Sequence, residues 1–265
     1  MAYRELPAPG PHIAGIWVRD PESVARVHRI VPDGCADVVW IEGVGLRVAG
    51  PATGPVLSEV PRGAVATGVR FRVGAAGSAL GVPARELLDG YADLEAVWGD
   101  AGAALAARLA AAPTLDTAVA ILTAAVERRL PPPEAIDPVV RAAAVGAARP
   151  RTPVEALGAG LGIGERQLRR RFDDAVGYGP KTLQRVLRFQ RFLALAEAER
   201  AAGAPDPDLA QLAFAAGYAD QAHLTRECTR LAGLPPAALL ATGAGPGGER
   251  SPEFAPVAAP PVLAA

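Results

Sequence analysis

Four arginines lie close together in the stretch Gly162–Phe172, and the spacing of three of them suits contact with a nucleic acid. Leu168 and Phe172 are four residues apart, so they share one side of a helix and can be buried together. The arginines that fall away from this apolar stripe are Arg166, Arg169 and Arg170. Guanidinium groups on such a face suit the base edges and phosphates of a DNA groove. The stretch alone is equally typical of a solvated amphipathic helix.

A second group of side chains with chemical potential lies in the N-terminal half: His28, Cys35 and Asp37. On paired strands these residues could approach one another and form a metal or thiol site, which makes them candidate effector ligands. A structural interpretation competes, because Pro32-Asp33-Gly34 predicts a turn and a cysteine is a small side chain suited to a core. Lining of an apolar pocket and ordinary core packing both remain open for three aromatic residues: Trp17, Trp40 and Phe71.

Signatures of catalysis are missing from the sequence. It contains no GxSxG, HExxH or P-loop motif, and GAGLGIG at 158–164 has GxGxG spacing after a predicted helix, which disfavours nucleotide binding. Cys35 and Cys228 are far apart and form no CxxC motif, which disfavours a structural zinc or a disulfide framework. We therefore predict no catalytic residue, metal or cofactor, and a protein that is not an enzyme. The alternative is an enzyme or a thiol- or metal-dependent sensor fused to a DNA-binding module.

Charge is distributed unevenly along the 265 residues, although the net charge is only −1. Residues 1–136 carry 12 basic and 15 acidic side chains, whereas residues 137–243 carry 14 and 11. A basic face in the second half would matter more to a polyanion than the total charge does. The N-terminus lacks the apolar core of a signal peptide, and no apolar run is long enough to span a membrane. We expect a cytoplasmic protein without a membrane partner.

Alternating apolar residues and turn signals predict an all-β fold for the first part of the chain. The clearest strands are predicted at Arg26–Val31, Ala36–Ile41, Val44–Ala49 and Ala64–Val73. In the last of these, Val69, Phe71 and Val73 alternate with arginines, as expected for a strand with one buried face. Four or five strands at this spacing favour a small antiparallel barrel or sandwich.

Helices are predicted from residue 83 onwards. These are Pro83–Asp89, Leu94–Ala111 and Leu115–Leu130, with Thr114 as a helix start. The helices of 94–130 are expected to pack on the barrel, to form a dimer surface, or both. Further helices are predicted from Asp137-Pro138 to Arg149, from Thr152 with Glu155 as a capping box, over Lys181–Arg200, and in short segments over Asp206–Leu240.

An internal repeat joins the two ends of this helical half. A shift of 56 residues places Leu168 on Leu224 and Gly177 on Gly233. Each copy then contains a short helix, a turn and a second helix, which is the pattern of a helix-turn-helix unit. The intervening helix over Lys181–Arg200 would span about 30 Å, close to the roughly 34 Å between successive major-groove faces.

These residues resemble the DNA-binding domain of AraC-type transcriptional regulators. The resemblance covers about residues 137–241, and its most specific part is AGYADQAHLTRE followed by GLPP. The segments RIVPDGCADVVW and GVRFRVGAAGSALGVPARELLD are similar to a β-rich sensor domain in one branch of that family, whose expected fold is cupin-like. Two departures are Cys228, where the family has an aromatic residue, and Leu239-Leu240, where it often has Tyr–Arg.

The resemblance implies which side chains contact DNA. The base-contacting residues would be Arg166, Arg169, Arg170, Gln221, His223, Thr225 and Arg226. Arginine pairs with guanine and glutamine with adenine, each for about 1–3 kcal/mol of discrimination. Weaker candidates for contact with phosphates lie on the connecting helix: Arg185, Arg188 and Arg191.

The sequence thus predicts an α+β protein with two domains and a sequence-specific DNA-binding function. We expect a β-barrel or cupin-like sensor or dimerisation domain over 1–130, with a helical extension at about 94–130. A proline-rich linker at 131–136, a double helix-turn-helix domain at 137–242 and a disordered tail at 243–265 follow. The expected partners are double-stranded promoter DNA and, as further candidates, RNA polymerase, a small-molecule effector and a second copy of the chain.

Overall fold

Short antiparallel strands build the N-terminal half of the protein. The computed structural model describes residues 3–8, 10–21, 26–132, 135–149, 152–203 and 208–242. Within these residues the strands are β1 Tyr3–Leu6, β2 Ile13–Arg19, β3 Arg26–Ile30, β4 Asp37–Ile41, β5 Gly45–Ala49, β6 Val56–Val60, β7 Ala66–Phe71 and β8 Tyr91–Asp93. Six of them form one sheet in the order β1-β2-β7-β4-β5-β8, and β3 pairs with β6. The four predicted strands are present, and the other four had not been singled out.

Side-chain alternation gives the six-stranded sheet two different faces. Val38, Val48 and Val69 lie on one face, where they are fully buried against helices of the same half. Asp37 and Arg70 lie on the opposite face and are paired in register across β4 and β7. Arg70 is therefore turned inward, which corrects the expectation that the arginines of this strand occupy an exposed face.

The helices of the N-terminal half cover the apolar face of the sheet. They are α1 Ala76–Leu80, a 3-10 helix Ala84–Leu87, α2 Leu94–Trp98, α3 Asp100–Ala110 and α4 Leu115–Glu127. The predicted helix over Leu94–Ala111 is divided at Gly99, whose φ of 58° is incompatible with a continuous right-handed helix. Thr114 caps α4 as predicted, because its hydroxyl accepts a hydrogen bond from the backbone N–H of Thr117.

The C-terminal half is helical throughout its described residues. Its helices are α5 Pro138–Ala148, α6 Val154–Ala159, α7 Glu165–Val176, α8 Pro180–Ala201, α9 Leu209–Ala216, α10 Gln221–Ala232 and α11 Pro236–Thr242. Asp137 caps α5, and Pro138 occupies its first turn, as predicted. The capping box at Thr152 is wrong, since its hydroxyl donates to the carbonyl of Arg149 and α6 begins after Pro153. The predicted start at Asp206 and the tail 243–265 lie outside the described residues.

The two halves meet in a shared apolar region. Val31, Cys35 and Val73 of the N-terminal half are buried together with residues of the helical half such as Leu183. The side-chain amide of Gln190 on α8 also donates a hydrogen bond of 2.7 Å to the carbonyl of Pro32. The loop Pro32–Cys35 is therefore the point at which the β-rich half contacts α8.

The architecture confirms the predicted α+β class with two domains, a β-rich N-terminal one and a helical C-terminal one. The helices at 94–127 pack on the sheet, one of the two arrangements expected for them. Among the described residues, no helix combines the length and the apolar character needed to cross a bilayer.

Candidate nucleic-acid interface and the adjoining cavity

The helix α7 has a buried apolar stripe on one side and exposed arginines on the other. Leu168, Phe172 and Val176 are buried, and a turn through Gly162 at a φ of 67° connects α6 to this helix. The exposed arginines of α7 are those assigned to base contact: Arg166, Arg169 and Arg170. The side chain of Arg169 is 76% exposed and makes only a long 3.9 Å contact with Asp173. These guanidinium groups are free to meet an external polyanion.

Arg171, the remaining arginine of α7, has a structural role. Its Nη1 lies 3.1 Å from both carboxylate oxygens of Asp137, the residue that caps α5. The ion pair fixes α7 against the start of α5. One turn of this helix therefore contains both exposed arginines and an arginine engaged within the domain.

The helix α10 has the same construction as α7. Leu224, Cys228 and Leu231 are buried, whereas Gln221 and Arg226 are exposed. Cys228 fills a fully buried position without an aromatic ring, and burial raises the pKa of its thiol to about 12. The second copy thus keeps a closed core despite its departure from the family pattern.

His223 and Thr225 lie partly exposed at the start of α10. Nδ1 of His223 accepts a 3.4 Å hydrogen bond from the backbone N–H of Ala219, and its ring meets Tyr218 edge-on at 5.2 Å. Because Nδ1 acts as the acceptor, the proton of the neutral imidazole is on Nε2. The hydroxyl of Thr225 donates to the carbonyl of Gln221. His223 can therefore offer a donor to a base edge.

The repeat seen in the sequence is reproduced in the structure. Shifting α7, Glu165–Val176, by 56 residues gives the bounds of α10, Gln221–Ala232. Both helices end at a glycine in the left-handed conformation, Gly177 with a φ of 93° and Gly233 with a φ of 72°. We refer to α7 and α10 as the reading helices and to α8, which lies between them in the chain, as the strut.

The strut is 22 residues long, and its three central arginines all have partners within the domain. Arg185 forms two 2.7 Å hydrogen bonds with Glu227 of α10, and Arg191 donates to the carbonyl of Ala148 at 2.8 Å. Arg188 lies over the ring of Tyr218 at 5.5 Å from its centroid. The pair of Arg185 with Glu227 holds α10 on the strut. Arg188 is the arginine of the three that is least committed to the fold.

A cavity of about 380 Å³ lies on the polar face of the N-terminal sheet. The sheet β3–β6 covers it, and Gln190 and Leu193 of the strut contribute to its wall. The indole of Trp17 lies over Gly68, where a Cβ atom would come within 2.4 Å of the ring. Tyr3 stacks on the same indole at 6.3 Å. The cavity thus combines an aromatic platform with residues from both halves of the chain.

Charged groups gather at the end of the cavity nearest the strut. Arg70 donates to Asp37 from Nε at 3.2 Å and from Nη2 at 3.3 Å, and its Nε lies 3.5 Å from Asp33. Asp37 also accepts a 2.8 Å hydrogen bond from Trp17 Nε1. Burial raises the pKa of Asp33, Arg70 partly offsets this effect, and the charge of Asp37 adds to the increase. We call Arg70, Asp37 and Asp33 the polar end of the cavity.

The structure describes the side chains of two of the three candidate effector ligands, and both of these line the cavity. Asp37 and Cys35 line the cavity, whereas the side chain of His28 lies outside the described residues. Burial, followed by the charge of Asp33, raises the pKa of the Cys35 thiol well above its ordinary value. In the part of the chain that the structure describes, no three histidine, cysteine or acidic side chains are grouped so as to hold a metal. A protonated, buried Cys35 is poorly suited to thiol chemistry.

Sequence reasoning missed most residues of the polar end. Arg70 and Asp33 had been interpreted as a surface arginine and a turn residue, and Gln190 as part of the middle of a helix. Of the three aromatic candidates, Trp17 lines the cavity, whereas Trp40 and Phe71 lie in the core on the other face of the sheet. One signal was available in the sequence: Arg70 and Asp37 have opposite charges, and their side chains lie on the same face of two neighbouring strands.

Two family models match the chain. Residues 157–242 match a helix-turn-helix domain, and residues 7–93 match a domain of unknown function, DUF6597. The first range includes both reading helices and the strut, and the second includes most of the cavity wall. No curated protein is similar in sequence to this chain.

Solved structures of ToxT from Vibrio cholerae are similar to the chain. The 1.65 Å structure of the P21 form has 10% identity, with 92% of this chain and 100% of that chain covered and a TM-score of 0.45. ToxT from strain O395 has 10% identity, coverages of 85% and 95%, and a TM-score of 0.42. Wild-type ToxT from strain SCE256 with a bound unsaturated fatty acid has 11% identity, coverages of 84% and 96%, and a TM-score of 0.40.

Proposed function

We propose that this AraC-type DNA-binding regulator contacts two adjacent major-groove segments of promoter DNA through α7 and α10. The AraC-type resemblance noted in the sequence is supported by the family matches over residues 157–242 and 7–93. We further propose that the N-terminal domain adjusts this binding, through a small molecule, through dimerisation, or through both.

One observation carries the proposal: two helices of identical length present exposed polar faces from one strut, 56 residues apart in the chain. In helix-turn-helix proteins the second helix of each unit enters the major groove. A strut of 22 residues is about 33 Å long, close to the roughly 34 Å between successive major-groove faces. A single chain can therefore supply both reading helices.

Base contacts are proposed for the exposed side chains of the two reading helices. On α7, guanidinium groups pair with guanine, which offers two acceptors in the major groove. On α10, Gln221 suits adenine, and Nε2 of His223 can donate to a purine acceptor. The complete set is Arg166, Arg169, Arg170, Gln221, His223, Thr225 and Arg226.

Phosphate contacts are proposed mainly for Arg188, whose guanidinium has, among the described residues, a ring contact with Tyr218 in place of a hydrogen bond or ion pair. Arg185 and Arg191 would have to retain their hydrogen bonds to Glu227 and Ala148 while reaching the DNA. A phosphate contact contributes to binding of every sequence and releases counterions, so its removal reduces the dependence on salt.

The test is a footprint followed by mobility-shift titrations on the protected promoter DNA at fixed salt. Arg169→Ala should relax the preference at one base pair, costing about 1–3 kcal/mol for the preferred base only. Arg188→Ala should weaken binding to all sequences alike and reduce the salt slope by about one. The matched control is Arg108→Ala, which removes an exposed arginine of α3 in the N-terminal domain. Binding unchanged by both substitutions on the DNA-binding domain would refute the groove assignment.

A further inference from the structure

The strut closes one end of the N-terminal cavity. Gln190 and Leu193 of α8 line the wall, and Gln190 is only 3% exposed. Its Nε2 donates to the carbonyl of Pro32 at 2.7 Å. Its carbonyl oxygen has no hydrogen-bond partner among the residues that the structure describes. Because Gln190 lines the cavity, its side-chain oxygen offers an acceptor from the DNA-binding domain to whatever occupies the cavity.

Negative charge exceeds positive charge beside Gln190. Arg70 faces two carboxylates of the cavity wall, Asp37 at 3.2 Å and Asp33 at 3.5 Å, and it lies 3.8 Å from Glu5, a half-exposed residue outside the wall. At the wall itself, one guanidinium thus faces two carboxylates. The other cavity-lining arginines lie elsewhere, since Arg47 pairs with Asp93 and Arg19 is aligned with Ala66 at the far end of the sheet. The polar end favours a ligand that brings a positive charge and N–H donors.

The remainder of the wall is mainly apolar. Val39, Ile41 and Val44 line it, and the indole of Trp17 lies flat above Gly68 beside the polar end. A volume of about 380 Å³ lies within the roughly 300–1,000 Å³ typical of small-molecule sites. An aromatic face next to carboxylates is also the arrangement that attracts organic cations.

We propose that the cavity binds a small organic cation, an amine or amidine with an apolar body, whose N–H groups point to the polar end and to Gln190. The apolar body lies along Trp17 and the aliphatic wall. The ligand donates to the carbonyl oxygen of Gln190, so it binds both halves of the chain at once. The consequence for DNA binding rests on the function proposed above, whereas the ligand class does not.

The loop Pro32–Cys35 carries the effect from the cavity to the strut. Asp33 belongs to the polar end, whereas Gly34 lies where an added Cβ would be 3.2 Å from Leu183 and 3.3 Å from Val73. Pro32 is bonded to Gln190. A ligand that draws Gln190 and Asp33 towards itself shifts the position of α8 relative to the N-terminal half. Because both reading helices pack on α8, they shift with it.

The ligand class is tested by calorimetry on the full chain with matched probes. These are 4-phenylbutylamine with 4-phenylbutyrate and 4-phenylbutanol, and hexylamine with hexanoate and hexanol. At least one amine should bind ten-fold or more tightly than the carboxylate and the alcohol of the same skeleton. Equal or tighter binding of the carboxylates, or no binding of either amine at millimolar concentration, would overturn the proposal.

The position of the ligand is tested with Asp33→Asn. This change removes one charge but retains an oxygen to accept the 2.8 Å hydrogen bond from the N–H of Cys35. Amine affinity should fall ten-fold or more, whereas Asp116→Asn, the same change at the exposed start of α4, should leave it unaltered. Equal amine affinity in the two variants would place the ligand elsewhere. Thermal unfolding of each variant verifies its fold, and the probe comparison on the unaltered chain decides the ligand class independently.

The link to DNA is tested by operator titrations with and without saturating amine. We expect a change of at least five-fold in operator affinity, and none in Gln190→Leu, which keeps an apolar side chain at the wall. An operator affinity that the bound amine does not change would exclude the coupling and leave the binding site standing. A chain that binds amine but no DNA would instead refute the regulatory function proposed above.

Discussion

Glu227 shows how one side chain can set the orientation of a reading helix. It lies on α10 between exposed residues proposed to contact DNA, yet it forms two 2.7 Å hydrogen bonds with Arg185 of the strut. Both side chains are largely buried, at 14% and 22% exposure. Burial acts to raise the pKa of Glu227, but the hydrogen bonds and charge of Arg185 outweigh it, so the pKa is lowered. The pair therefore favours the folded state when the carboxylate is ionised.

Glu227→Gln should lower the free energy of unfolding by about 1.5–3 kcal/mol near neutral pH, because a charge-assisted, bidentate pair is lost. Since the folded-state pKa lies below that of the unfolded chain, the stabilisation is complete above the unfolded value. It is lost as the pH falls through the folded value. Urea unfolding of both proteins between about pH 7 and pH 3 measures this, and the two curves should converge at low pH. Glu127→Gln, at the exposed end of α4, is the control, and a pH-independent difference would contradict the assignment.

The elements of the C-terminal half were predictable because local signals determine them. The predicted helix at Lys181–Arg200 is Pro180–Ala201, and Asp137 caps the helix expected to begin there. Apolar periodicity also placed Arg166, Arg169 and Arg170 of α7 on an exposed face. The ion pair formed by Arg185 was not predictable, because its partner lies 42 residues away on another helix.

The N-terminal elements were harder to interpret from the sequence. Alternation along β7 placed Val69 and Phe71 on one face correctly, but it could not say whether the opposite face meets water or a cavity. The buried position of Arg70 depends on β3 and β6, which cover that face from distant parts of the chain. Long-range pairing of this kind leaves no local pattern in a single strand.

Gly177 tests how closely the two halves approach each other at the end of α7. Gly177 and Gly162 both have positive φ values, 93° and 67°, so alanine at either position should cost about 1–2 kcal/mol of backbone strain. An added Cβ at Gly177 would also lie 2.6 Å from Pro51 and 3.1 Å from the carbonyl of Ala84, whereas the space around Gly162 is open. Gly177→Ala should therefore cost a further 1–3 kcal/mol or so in urea unfolding. Equal losses would show that the close approach does not persist in solution.

At the scale of the whole molecule, a single core connects the sensor-like half to the strut. Val31, Cys35 and Val73 are buried with the strut and the residues around it. Arg29 donates to the carbonyl of Ala232 at the end of α10, and Arg85 pairs with Asp174 on α7. The N-terminal half thus touches both reading helices, and these contacts are the route by which we propose that a change in its cavity reaches the proposed DNA-binding surface.

The length of the strut makes a final prediction about the operator. Because α8 is one uninterrupted helix of about 33 Å, the two reading helices have a fixed spacing and cannot follow DNA segments that are moved apart. Inserting five base pairs between the two protected segments turns the second away by half a turn, and affinity should fall to that of one segment. Inserting ten base pairs returns the second segment to the same face of the DNA but moves it about 34 Å further away, so affinity should stay low. A flexibly linked dimer would instead regain its full affinity at this insertion. Mobility-shift titrations at fixed salt measure the series, with the same insertions placed outside both segments as controls. Full recovery at ten base pairs would mean that two chains, rather than one strut, span the operator.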